Sequence, residues 1–443
     1  MRCKSTRLGG EIKMGILNIF NKKKQEKEIS KVDDAVNKEE IYYGKAAVFC
    51  AEEDLDKIMN VICDTFGISS SGNGNTLELH NGDINIYVNV TTAIMGDEAE
   101  AYVKDQVDRT YGHFYEVETE YIDNKTNVLY KINSVRGFIM ITYSCNYENE
   151  DATTKMIMEM FASTLSELNG IILLNQEDDG LYYESDRGIE LILSEEGKST
   201  LTNYLPHEEF TMTPESGQVN EEQINRRLKS RKILQEKYIY VPAWYPLIET
   251  AEQSKGRAAE EIAKRAVALM IVSVYSECLL GDCMNVTESY EFVSGIIERF
   301  GAEEFFSTKE KEYLQNQNPT QEEKVAHSWQ YENLFVMEWA LGLIDELDFP
   351  DHICDVPLAV CLLNNCNSIE EILEKSNLKS KESLLDECDL IFCLNWACVD
   401  TRIHKLPAPA GMDSGVVVER HKSLNWLAGY DESAEWDEVG TDT

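Results

Sequence analysis

Glu332 falls within a stripe of Val325, Trp329, Val336, Trp339, Leu343 and Leu347, whose spacing predicts one face of a helix over 321–347. A carboxylate on a buried face needs a partner. Arg265, just before the most apolar run of a helix predicted over 257–280, is the cation expected to supply it. Such a pair is either an interhelical tie or a general base tuned by burial. His421 lies between Val417, Leu424 and Ala428 at helical spacing, flanked by Glu419 and Arg420. The ordinary reading there is a hydrogen-bonded core histidine. Asp389, within the stripe Leu385, Phe392, Trp396 and Val399, raises the same question. Glu332, Asp400, Arg420 and His421 are the candidate polar groups of a cleft, should the helices bring them together.

Other chemistries lack their residues. Gly67 to Gly72 has the glycine spacing of a phosphate loop, but Asn73-Gly74 stands where Lys-Ser/Thr is needed. The segment also follows a helix and precedes a strand, the reverse of the order that sets phosphate on a helix N-terminus. No nucleophile elbow, HExxH pair or EF-hand loop occurs, and none of the 12 cysteines forms a CxxC pair. Cys388, Cys393 and Cys398 are five apart, which on one helix aims them in different directions. Reduced thiols in apolar packing are expected, and neither metal nor cofactor is implied.

These residues sit in a chain of 443 residues with 41 Lys+Arg against 80 Asp+Glu, a net charge of −39. That charge argues against nucleic-acid binding, which needs basic surface to displace counterions. At 43% hydrophobic residues the chain is globular, and its length calls for more than one domain. The longest apolar stretch, Ala266–Val274, is well short of the roughly 20 residues a bilayer requires. A cytoplasmic protein is expected.

Residues 1–40 are expected to be a basic, disordered tail, with nine Lys/Arg and three Asp/Glu in the first 31. Gly9-Gly10-Glu11 can be encoded by a purine-rich ribosome-binding sequence, so native synthesis is expected to start at Met14. Ile16, Leu17, Ile19 and Phe20 with Lys22, Lys23 and Lys24 would allow weak, salt-sensitive contact with an anionic membrane. Packing on the protein's own surface, or disorder, is the preferred reading. Ile19 stands where lipidation of Gly15 would want Ser or Thr.

Residues 41–195 read as an α+β domain. Strands are predicted at Lys45–Cys50, Thr76–Leu79, Ile84–Val90, Phe138–Cys145, Ile171–Leu174 and Leu181–Glu184, with helices at 52–66, 97–111 and 152–168. The order strand-helix-strand-strand thus occurs twice and suggests a duplicated unit. Residues 196–220 lack any period and read as a linker. From 221 to 443 the pattern is all-α; besides the two helices above, it predicts 221–237, 288–300, 368–375, 381–404 and 414–428.

The helical half resembles a bacterial family of unknown function, the domain-of-unknown-function family 4272. The likeness rests on Arg226 and Arg231 ahead of Pro242, Glu261 with Arg265, Trp329 with Glu332, and Trp339-Ala340-Leu341-Gly342. It continues through Leu384-Leu385-Asp386, Trp396 and Asp400-Thr401-Arg402 to Glu419-Arg420-His421, Leu424-Asn425-Trp426-Leu427, Trp436-Asp437 and Thr441-Asp442-Thr443. It implies an intracellular bacterial protein and brings no catalytic residues. It also implies that Asp442-Thr443 docks, near Arg420 or Arg402. A non-enzymatic regulatory or protein-binding role is the leading expectation. The alternative is an enzyme, such as a hydrolase, which requires at least three of Glu332, Asp400, Arg420 and His421 to share one solvent-reachable pocket.

Overall fold

The structure is a computed structural model that describes residues 41–65, 74–81, 84–146, 150–174, 179–206, 220–281, 284–429 and 435–443. The expected basic tail, the start at Met14, the apolar and lysine segment 16–24, the Gly67–Gly72 loop and the turn residues Gly82 and Asp83 lie outside the described residues. The chain forms two compact units, residues 1–209 and 210–443.

The first unit is α+β. Its strands are β1 (Ile41–Cys50), β2 (Thr76–Asn81), β3 (Ile84–Thr92), β4 (Gly137–Asn146), β5 (Ile171–Leu174), β6 (Gly180–Ser185) and β7 (Gly188–Ser194). They make one sheet in the order β2-β3-β4-β1-β5-β6-β7, with every pairing antiparallel. Alternation along β1 sends Ala46 and Val48 to one face, against α1 (Leu55–Thr65) and α4 (Glu150–Glu167) through Ile58, Ile62, Phe161 and Leu165. On the other face Phe49 meets Phe138 edge-on at 5.2 Å, and Tyr102 of α2 (Asp97–Tyr115) reaches Phe138 at 5.8 Å. The strand-helix-strand-strand order does occur twice along the chain. The pairing crosses between the repeats, however: the first hairpin joins β4 through β3, and the second joins β1 through β5.

Two elements of this unit escape the sequence pattern, β7 and the helix α3 (Ile122–Asn133). They explain why part of the expected linker is fixed. Asn124 Nδ2 donates to the Leu201 carbonyl at 3.1 Å, Asn127 Nδ2 donates to the Tyr204 carbonyl at 2.7 Å, and Leu201 and Tyr204 are buried. Residues up to 206 therefore belong to the first unit.

The second unit is helical throughout. In order come α5 (Glu221–Glu236), α6 (Ala259–Leu280), α7 (Val286–Phe300), α8 (Thr308–Gln315), α9 (Gln321–Ser328), α10 (Gln330–Ala340), α11 (Val356–Asn364), α12 (Ile369–Lys375), α13 (Lys381–Ile403) and α14 (Ser414–Ala428). Helix α6 is buried on nearly every side from Ile262 to Tyr275, as an apolar-all-round helix must be. The helix expected over 321–347 is two helices, the second ending at Ala340. Gly342 terminates the run at φ +72°, where an added Cβ would lie 2.1 Å from the Asn377 carbonyl oxygen. No helix among the described residues is long and apolar enough to cross a membrane.

Candidate functional site

Glu332 is buried at 2% exposure, and its cation is Arg420, not Arg265. Arg420 Nε stands 3.5 Å from Oε2, and the Cys354 amide donates to Oε1. Arg420 Nη1 also donates to the Asp348 carbonyl. Arg265 is taken by Glu310 of α8, and its guanidinium lies 5.1 Å over the Trp436 ring. The error is one of register between helices: apolar spacing fixes the face of each, but not which residues meet across them.

The four candidates fall into three places. Glu332 and Arg420 form the pair just described. Asp400 pairs with His404, just past the end of α13, at 3.1 Å. His421 is 1% exposed, and its Nδ1 contacts Asn395 Nδ2 at 2.9 Å. Burial pushes its pKa down to about 4, against the opposing pull of Asp442, so the ring is neutral at pH 7.

Asn395 Nδ2 also donates to the Thr441 carbonyl at 3.0 Å, and Asn425 Nδ2 to the Gly440 carbonyl at 3.0 Å. Asparagines on α13 and α14 thus grip the backbone of Gly440 and Thr441, while Asp442 and Thr443, the residues expected to dock near Arg420 or Arg402, are exposed. Trp436 is buried among Arg265, Lys422 at 4.5 Å, and Trp426 edge-on at 5.8 Å.

Asp389 is answered by Arg227, a residue the sequence pattern did not single out. Arg227 Nη2 donates to Oδ1 at 2.9 Å and Nε to Oδ2 at 3.0 Å, while Ser230 Oγ adds 2.6 Å. The signal was present, since Arg227, Ser230 and Leu234 share a helical face that is polar except at its end. Two further acids were also missed. Glu338 on α10 is fully buried, and neither carboxyl oxygen has a hydrogen-bond partner among the described residues. Burial raises its pKa to about 9. Glu387 on α13 is pushed up to about 7 by burial, which Arg420 partly offsets.

Glu332 also lines a cleft of about 910 Å³ between the end of α6, the α9–α10 junction and α11. Its walls are mostly apolar, including Leu280, Trp329, Val356 and Val360, and Glu277 supplies a second carboxylate. Tyr331 donates its hydroxyl to Glu277 Oε2 at 2.6 Å. Ile353 in its wall is 58% exposed. Such a surface can hold an apolar body carrying a positive charge.

Among the described residues no three His, Cys, Asp or Glu are grouped to hold a metal, and ten cysteines are free thiols. Residues 226–439 match the family model described as a domain of unknown function, DUF4272. The C-terminal half is a DUF4272 domain. The match begins at Arg226 and runs to Val439, so the Arg227–Asp389 and Glu332–Arg420 pairs both lie inside the DUF4272 domain. No curated protein and no solved structure matches the chain.

Proposed function

We propose that this chain is a cytoplasmic, non-enzymatic protein whose DUF4272 domain binds a protein partner, taking a basic, apolar peptide segment in the cleft beside Glu277, Tyr331 and Glu332. The observation that carries this reading is the composition of the cleft: apolar walls, the Glu277 carboxylate and the solvent-exposed Ile353 in its wall. The charge of −39 favours a basic partner through long-range attraction. The dispersal of Glu332 with Arg420, Asp400 and His421 into three places supports a binding protein over a catalyst. Free thiols at ten described cysteines support the cytoplasmic reading.

A labelled peptide alternating leucine and arginine tests it against a leucine–glutamate control, by fluorescence polarisation at physiological salt. Saturable binding of the basic peptide is expected, weakened tenfold or more by both Glu277→Lys and Val360→Asp. General attraction to an acidic protein would strengthen with Val360→Asp, and that outcome refutes the cleft.

A hydrolytic enzyme is the second reading. It is favoured by Glu387, whose carboxyl near neutrality beside Arg420 suits proton transfer.

A further inference from the structure

His421 does more than fill a core position. A carbonyl oxygen only accepts, so the Thr441 carbonyl obliges Asn395 to present its NH₂ group, and the second hydrogen of that group faces His421 Nδ1. The ring must therefore accept at Nδ1 and carry its proton on Nε2. No described residue accepts from Nε2. The ring lines a cavity of about 270 Å³, separate from the cleft, which residues 438–440 and Asp442 help to close.

The cavity is chemically divided. Leu385, Phe392 and Trp426 supply apolar and aromatic wall. Arg257 fixes Trp426 by stacking on its ring at 4.8 Å and donating to its carbonyl at 3.1 Å. The carboxylates of Glu249 and Asp442 stand at the more exposed side. A cavity of roughly 150 Å³ with apolar walls accepts benzene, so this one has room for a bicyclic ring system. Water alone would leave many of its hydrogen bonds unmade against the aromatic walls.

We propose that this cavity is a binding site for a neutral, planar amino-heterocycle. A ring nitrogen accepts from His421 Nε2–H, the ring system lies against Phe392 and Trp426, and the amino hydrogens face Glu249 and Asp442. The site goes beyond the peptide cleft and does not depend on it.

The test uses the full chain and 2-aminopurine, whose fluorescence is quenched on stacking. Saturable quenching is expected, with adenine displacing the probe and indole, of similar size but lacking the acceptor, failing to do so. His421→Phe should weaken binding about tenfold. In ¹⁵N-histidine NMR of the unaltered protein, His421 should show a protonated Nε2 that shifts when 2-aminopurine is added. Absence of saturable quenching, equal displacement by indole, undiminished binding to His421→Phe, or an unmoved His421 signal would each overturn the proposal.

Discussion

Arg227 and Asp389 are 162 residues apart in the chain and joined in a two-pronged ion pair with no more than 1% exposure on either side chain. Two of the three remaining guanidinium hydrogens go to the carbonyls of Tyr245 at 2.8 Å and Pro246 at 2.6 Å, and Ser230 completes the carboxylate. The pair ties α5, the segment after it and α13 into one piece.

Removing one partner leaves the other charged and enclosed. Asp389→Ala should cost the helical unit about 3–5 kcal/mol, and Arg227→Lys nearly as much, because an ammonium cannot serve both carboxylate oxygens and two carbonyls. Chemical denaturation reads this directly. Retention of the parental midpoint by Arg227→Lys would mean that charge alone, and not the planar fork, is what the site uses.

For Glu332 the same reasoning applies with Arg420 as the orphan. Glu332→Ala should destabilise by about 3–5 kcal/mol, and adding Arg420→Leu should recover much of the loss. Full additivity of the two substitutions in a double-mutant cycle would refute the pairing. Arg265→Ala should be additive with Glu332→Ala, since its partner is Glu310.

Glu338 should make the fold less stable as pH rises. Its native pKa of about 9 lies above the usual 4.5, so between those values the native state holds a proton that the unfolded state has released. At pH 7 this amounts to about 3 kcal/mol. Glu338→Leu should therefore stabilise the protein at pH 7 by about that amount, with a gain that shrinks towards pH 4.5. An equal gain at pH 5 and pH 8 would show the carboxyl to be charged in the fold.

His421 acts at the other end of the scale. Its native pKa of about 4 is below the usual 6.5, so stability is fully present above 6.5 and declines as pH falls towards 4. By pH 5 the loss is about 2 kcal/mol. A proton on Nδ1 would oppose the Asn395 NH₂ group, while Asp442 favours the charged ring and moderates the effect. His421→Phe should remove this part of the pH 7 to pH 5 difference in denaturation midpoint, and an undiminished difference would assign it elsewhere.

Most strands and long helices were legible in the sequence because each presents one apolar face, as in β1 or α14. Glu338 was not, because every residue from Tyr331 to Ala340 is buried and no polar face marks the exception. The pairing of Glu332 with Arg420 was invisible for a different reason: both residues were singled out, but on helices whose mutual register has no local signature. Gly342 ends a predicted helix where the Asn377 carbonyl leaves no room for a side chain, a contact between segments that sequence periodicity does not record. The docking role of Asn395 and Asn425 went unnoticed because they bind backbone carbonyls, which carry no side-chain identity to match.

Asp437 accepts from Ser307 Oγ at 2.7 Å and from the Lys309 amide at 2.9 Å, at the start of the eight-residue helix α8. A helix that short has little stability of its own. During synthesis the ribosome must add more than a hundred further residues before Asp437 exists to hold that end. Glu310, on the same short helix, is also the partner of Arg265, so one wall of the helical unit waits on late-made chain. Closure of the α8 corner is thus timed by translation: it is complete only after Asp437 has emerged.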